Sequence, residues 1–317
     1  MSGHMGVDMA QITAAQVKEL REKTGAGMME CKSALTEANG DLEESIKILR
    51  KKGLAAAGKK AGRVTSEGIV HSFVDGRKAV LLEVNSETDF VAKTDEFKKL
   101  VEELAKMIAQ SSAVDVDSFV KEKVQGDPDG HDVSQLIASR IATMKENINL
   151  RRFVRYEAEE NGAFGSYIHA NGKIGVLVEL SSTGAGGRDE INAVAKDIAM
   201  HIAAAEPRFV GRDEVTQKDL DTEKEIARDQ AIKSGKPEAV VEKIVSGKME
   251  KFYGDACLLE QPFIKDDKLT ITQLLEQQGK KSGSGFTVRR FSRFKLGEGI
   301  EKKENDFASE VMAQAGM

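Results

Sequence analysis

An internal repeat constrains this chain more than any other feature of its sequence. Residues 75–85 align without gaps to residues 171–181, from Asp75-Gly76 through Val80, Leu81 and Glu83 to Asn85, against Asn171-Gly172 through Val176, Leu177 and Glu179 to Ser181. Each copy opens on the Asp-Gly or Asn-Gly pair that favours a tight hairpin turn, and continues as a short apolar run rich in β-branched residues. A helix follows each. Asp95-Glu96-Phe97 with Leu100, Leu104, Ala105 and Ile108 matches Asp189-Glu190-Ile191 with Val194, Ile198, Ala199 and Ile202. Two copies of hairpin plus helix predict a duplicated α+β core, with antiparallel sheets covered on one face by helices. The copies differ between strand and helix: the first carries Thr88-Asp89-Phe90-Val91, the second Thr183-Gly184-Ala185-Gly186-Gly187. The shared fold therefore does not demand an acid and a ring at that turn.

The remaining chain divides around this core. Ser2-Gly3-His4-Met5 reads as a cloning remnant, so residues 1–8 are set aside and Met9 is taken as the natural start. Residues 9–53 read as a three-helix domain: Thr13 caps a helix with Val17 and Leu20 that stops at Gly25, Met28 to Ala38 form a second, and Asp41 caps a third that runs to Gly53. Its Gly25-Ala26-Gly27 loop and Met28-Met29 are candidates for partner contact. Residues 54–63, rich in Ala, Gly and Lys, have little to bury and are expected to be a linker or a loosely held helix. The first core subdomain is placed at 64–162, with a helix over Val133 to Leu150. The second is placed at 163–212 together with 255–294, closed by an alternating strand over Phe286 to Phe294. Between those pieces, residues 213–254 form two charged helical stretches broken at Ser234-Gly235-Lys236-Pro237. Ile226, Ala231 and Ile232 are expected to face Val240, Val241, Ile244, Val245 and Met249 in a protruding antiparallel hairpin, which would pack on a partner or on a second copy. Residues 295–317 make a C-terminal module with a helix over Phe307 to Gln314.

Composition excludes several classes. With 40% hydrophobic and 31% charged residues and a net charge of −5, the chain is globular and gives no overall electrostatic reason to bind a polyanion. No apolar run reaches the roughly 20 residues needed to span a bilayer, and no signal peptide is evident, so a cytoplasmic, membrane-free protein is expected. Cys31 and Cys257 are too few and too far apart for a disulfide framework or a metal site, and read as small buried thiols. Gly53 to Lys60 approaches a phosphate-binding loop, but Lys60 stands where a magnesium-binding hydroxyl is needed and a helix precedes it. The histidines lack ligand spacing, and no nucleophile elbow occurs. No cofactor and no catalytic site are expected. Basic and aromatic residues interleave at Arg151-Arg152-Phe153-Val154-Arg155 and at Arg289 to Phe294, which fits either an RNA-binding strand or a strand with its rings in the core and its arginines in water. At the turn itself, Phe90 could staple the helix entrance while Asp89 caps a backbone amide, or the pair could be a wedge that enters a partner.

Several stretches resemble the bacterial elongation factor Ts family: Leu20 to Met29, Thr88 to Val91, Glu146 to Arg152, Gly165 to His169, Ser234 to Pro237 and Gly297 to Lys302. The resemblance runs from Met9 to the C-terminus. It implies a guanine-nucleotide exchange factor for elongation factor Tu, without an active site of its own, whose first bundle is ubiquitin-associated-like and docks on the partner's GTPase domain. It implies that Asp89 and Phe90, within the partner-binding stretch Thr88 to Val91, push between helices of that domain near its magnesium and phosphate site, and that His169 meets the third domain of the partner. Met144 falls at an apolar contact position that in the family is often Ile followed by Gly; here Lys145 follows. Lys32 and Ile264 match further partner-facing positions. The hairpin resembles the family's coiled-coil projection, which leaves a homodimer through it open, and no direct nucleic-acid contact is implied. The competing class is a structural or RNA-associated protein built on the duplicated core.

Overall fold

Two three-stranded antiparallel sheets, one from each copy of the repeat, stand back to back at the centre of the protein. The computed structural model describes residues 12–301 apart from 129, 185–187 and 236. The first sheet has β1 (Glu67–Asp75), β2 (Lys78–Ser86) and β3 (Ile148–Glu157) in the order β1-β2-β3. The second has β4 (Gly162–His169), β5 (Ile174–Ser182) and β8 (Phe286–Lys295) in the order β4-β5-β8. The outer faces carry helices: α5 (Asp95–Gln110) and α7 (Val133–Met144) on the first sheet, α8 (Arg188–Ala205) and α11 (Ile271–Ser282) on the second. The short α4 (Asp89–Ala92) and α6 (Val116–Phe119) flank α5. The fold is α+β.

The central strands explain their own composition. Val80, Leu82 and Val84 of β2 face α5, while Ala79 and Leu81 meet Leu177 and Phe294 of the other sheet, so β2 is buried on both faces and reads as a continuous apolar run. Sequence reading gave each sheet one covered face; the second copy covers the other. Glycines permit the close contacts. A Cβ at Gly165 of β4 would lie 2.1 Å from the Ala195 carbonyl oxygen of α8, and one at Gly175 would lie 2.4 Å from Val70 between the sheets.

The repeat also extends further than the aligned hairpins. Glu83 pairs in register with Arg152 and Glu179 with Arg290, and each pairing is followed by a one-residue bulge that leaves Arg151 or Arg289 as the extra residue. Arg152 donates to the buried Glu83 at 2.7 Å and lies over Phe294; Arg290 donates to the buried Glu179 at 2.6 Å and lies over Tyr156. Each arginine thus joins its own sheet's glutamate to an aromatic ring of the opposite sheet. The interleaved basic and aromatic motifs are the third strand of each copy; Phe294 is buried, Arg152 is partly buried, and Arg289 and Arg290 remain exposed.

The N-terminal residues form α1 (Ala14–Thr24), α2 (Met28–Glu37) and α3 (Leu42–Lys60) around Leu20, Cys31, Ala34 and Leu35. Thr13 and Gln16 build a capping box, Gly25 ends α1 at φ 66°, and Asp41 caps α3. Contrary to the expected stop, α3 runs through Gly53 to Lys60. Gly53 is buried against Ala142 of α7 and serves close helix packing. The helix expected over 133–150 ends earlier, at Met144, because Lys145 takes a left-handed φ of 64° and Ile148 to Leu150 join β3.

The hairpin is α9 (Gln217–Lys233) and α10 (Glu238–Ala256), closed around Ala227, Ala231, Val241, Val245 and Met249. Ile226, Ile232 and Val240, expected on the inner face, are exposed instead. Ala227 and Ala231 of α9 meet the larger Val241, Val245 and Met249 of α10, and Ile226 and Ile232 fall outside that seam. A two-stranded ribbon of β6 (Pro262–Phe263) and β7 (Asp266–Thr270) leads into α11. The helix expected over Phe307 to Gln314, and Ala185 to Gly187 of the second turn, lie outside the described residues.

Candidate functional site

β2 ends at Ser86, and the chain enters α5 in two steps. Thr88 caps α4, its hydroxyl oxygen accepting from the Val91 N–H at 3.3 Å; Thr94 then caps α5, accepting from the Phe97 N–H at 3.2 Å. Ala92 is buried and Val91 packs partly on the first core, which turns Asp89 and Phe90 outward. The Phe90 ring is 78% exposed, and its ring contact is the Lys93 ammonium at 5.9 Å. That exposure removes the staple reading, and threonines supply the caps that Asp89 might have supplied.

The Asp89 carboxylate instead pairs with Lys93 at 2.5 Å. The hydrogen bond and charge of Lys93 hold the Asp89 carboxyl below its usual range, and the Lys173 ammonium adds to the effect. Lys173 belongs to the β4–β5 turn, where Ala170, Asn171 and Gly172 all take positive φ and Lys173 binds Glu67 at 2.7 Å. His169, at the end of β4, is exposed beside this turn and its Nδ1 shares a 3.0 Å hydrogen bond with the Tyr167 hydroxyl. The turn that follows His169 thus brings the Lys173 charge within electrostatic reach of Asp89, although eighty residues separate His169 from Asp89 in sequence.

Met144 closes α7 and is half-buried against the first core. Two residues later, Glu146 accepts from the Thr88 N–H at 2.9 Å and from the Thr88 hydroxyl at 2.5 Å. Reciprocally, Glu87 accepts from the Asn147 N–H at 2.6 Å, and the buried Asn147 amide donates to the Arg63 carbonyl at 2.9 Å. Met144 and Phe90 thus ride on elements clamped together. Lys145 pairs with Glu30 of α2, which ties the N-terminal bundle to the same corner. Lys32 lies exposed on α2, one helical turn beyond Met28 and Met29, which are 61% and 76% exposed. Ile264 does not join this corner. It sits half-exposed between β6 and β7, its N–H donating to Nδ1 of the buried His201 at 3.3 Å.

Sequence reading missed Glu87 and Glu146, although both lie within or beside stretches it singled out. Their partners are nonlocal, and a carboxylate that binds backbone across sixty residues has no local signature. Among the described residues no group of three or more His, Cys, Asp or Glu side chains is placed to hold a metal ion, and no helix is long and apolar enough to cross a membrane. A groove of about 810 Å³ between the N-terminal bundle and α7 is lined by Met29, Leu49, Leu54 and Leu136 among others. What the Asp89-Phe90 corner offers is an exposed ring beside a carboxylate paired with Lys93, on a turn capped at both steps.

Comparison with known proteins agrees with the resemblance in the sequence. A family model described as elongation factor TS matches residues 87–298. The chain is 48% identical to elongation factor Ts of Trichlorobacter lovleyi, covering 96% of this chain and 99% of that relative. It is 48% identical to elongation factor Ts of Halothermothrix orenii, over 98% of this chain and 99% of the relative, and 49% identical to that of Clostridium acetobutylicum, over 96% and 98%.

Proposed function

The chain belongs to the elongation factor Ts family of translation elongation factors, and from that premise we propose that it binds elongation factor Tu and promotes release of GDP, then reloading with GTP, by inserting Asp89-Phe90 near the partner's magnesium and phosphate site. The observation that carries this is the 78% exposed Phe90 ring on a turn capped at both steps. A solvated aromatic side chain on an ordered turn has apolar surface to gain by burial and little conformational entropy to lose.

The chemistry needed is steric and electrostatic. A GTPase that holds GDP at nanomolar affinity has about 12 kcal/mol of binding free energy, much of it through phosphate and magnesium contacts. Coupling is reciprocal: a protein that prefers the nucleotide-free form weakens nucleotide by the same factor that nucleotide weakens it. A thousandfold effect requires roughly 4 kcal/mol. Phe90 supplies it by shifting packed elements, and Asp89, kept ionised by Lys93, by disturbing the magnesium ion or the groups that orient its ligands. No acid, base or bound cofactor takes part.

The remaining contacts follow the same reading. Thr88 and Val91 hold the wedge; Met144 makes an apolar contact with the GTPase domain beside it; and Lys32, on a ubiquitin-associated-like bundle, docks on that domain together with Met28 and Met29. His169 contacts the third domain of the partner, and Ile264 a further surface. The C-terminal module lies on the GTPase domain, and the α9–α10 hairpin is a coiled-coil projection open to a second copy. The protein works in the cytoplasm. Titration calorimetry against elongation factor Tu tests the proposal: affinity should be about a thousandfold higher without nucleotide than with GDP. Equal affinities would exclude exchange activity and favour the scaffold alternative.

A further inference from the structure

We propose that Glu146 is the positioning residue of the exchange wedge, holding α4 on the end of α7 so that Phe90 and Met144 enter a partner as one rigid unit. The inference rests on the reading of Phe90 as the wedge. A helix of four residues cannot hold its own shape, because nucleation fixes several dihedrals for a single internal hydrogen bond. Something outside α4 must fix it, and Glu146 is built for that purpose.

Both carboxylate oxygens are used. Oε2 accepts from the Thr88 N–H and Oε1 from the Thr88 hydroxyl. Because that hydroxyl gives its proton to Glu146, its oxygen is turned to accept from the Val91 N–H, closing a chain from Glu146 through Thr88 into α4. Asp89 and Phe90 lie between the two ends of that chain. An ionised carboxylate is the side chain suited here, since it accepts twice and donates nothing. Glutamine of the same shape has one acceptor oxygen and would set its amide N–H against a Thr88 donor. The exchange of Glu87 with the Asn147 N–H locks the same two segments from the other side, and the Lys145 pair with Glu30 brings the N-terminal bundle to the same residues.

The chain contains no tryptophan, so Phe90→Trp is a single-site reporter of wedge mobility in the free protein. Time-resolved anisotropy of this variant should show restricted motion, and adding Glu146→Gln should bring nanosecond segmental motion at the reporter with the global tumbling unchanged. In stopped-flow release of labelled GDP from elongation factor Tu, Glu146→Gln should lower the saturating rate about tenfold, and less than about twofold when added to Phe90→Ala. Unchanged anisotropy, or a full additional loss in the Phe90→Ala background, would overturn the assignment. If Glu146→Gln fails to unfold cooperatively, Glu146→Asp, which keeps the charge but falls short of Thr88, is read in the same two ways. Should Phe90→Ala itself leave release unchanged, the wedge reading fails, while the anisotropy still decides whether Glu146 orders α4.

Discussion

At the scale of single residues, this protein places its special side chains by local rules and holds them by distant ones. Thr88 and Thr94 cap successive helices, a role that sequence reading had offered to Asp89, whereas Glu146 and Glu87, which fix the turn, act from across the fold. Lys145 shows how a residue can be costly in one respect and useful in another. Its left-handed backbone costs a non-glycine residue about 1 kcal/mol, whereas its exposed pair with Glu30 contributes between about 0 and 1 kcal/mol. Lys145→Gly should therefore raise stability by about 0.5 kcal/mol in urea unfolding. A loss of more than about 1 kcal/mol would mean that the Glu30 pair carries the contact between bundle and core. The left-handed turn that releases β3 from α7 was not legible in the sequence, because Lys145 is a residue type that rarely takes it.

At the scale of elements, the repeat told more than its aligned hairpins revealed. It predicted two sheets with helices, and both formed with their expected buried positions, Leu100, Leu104 and Ile108 against Val194, Ile198 and Ile202 in equivalent places. The strand over Phe286 to Phe294 was expected and the motif at Arg151 to Arg155 was readable as a strand, but neither was recognised as the third strand of its copy, so Arg152 and Arg290 were not seen as equivalent partners of Glu83 and Glu179. Helix ends were misplaced for physical reasons. Gly53 looked like a stop but takes no left-handed φ and packs on Ala142, and the hairpin seam through Ala227 and Ala231 leaves Ile226 and Ile232 outside it. The close approach of α8 to β4 makes a sharp prediction. Gly165→Ala would drive a methyl against backbone, so it should destabilise by about 3 kcal/mol in urea unfolding, the upper end of overpacking costs. A change below about 0.5 kcal/mol would show that α8 can shift freely.

At the scale of the whole molecule, buried ionisable groups should give stability a two-step dependence on pH. Burial holds the His201 imidazole below its usual value against the opposing bond to Gln261, and burial does the same to His71, which faces Glu102 and Lys106 of α5. Both stay neutral in the fold while the unfolded chain takes up protons, so their contribution is complete above about pH 6.5 and is lost as pH falls toward the folded values. Burial pushes the Glu83 carboxyl up, but the Gly297 N–H, Arg151, Arg152 and Asn85 outweigh it and bring it below the usual range. That contribution is present above about pH 4.3 and lost as pH falls through the lower folded value. Thermal midpoints should start to fall near pH 6.5 and fall further below about pH 4.3, with the first step reduced in His71→Gln and His201→Gln; a midpoint flat from pH 7 to 5 would contradict this. The exchange proposal needs a firm support, since a wedge on a yielding one shifts nothing, and the two sheets packed on each other behind β2 provide it. The most direct test is stopped-flow release of labelled GDP from elongation factor Tu with saturating wild-type protein and with Phe90→Ala. A wedge at Phe90 gives strong acceleration by the wild type and at least a tenfold loss of it, roughly 1.4 kcal/mol, in a variant that remains folded; release equally fast with both proteins would rule the wedge out.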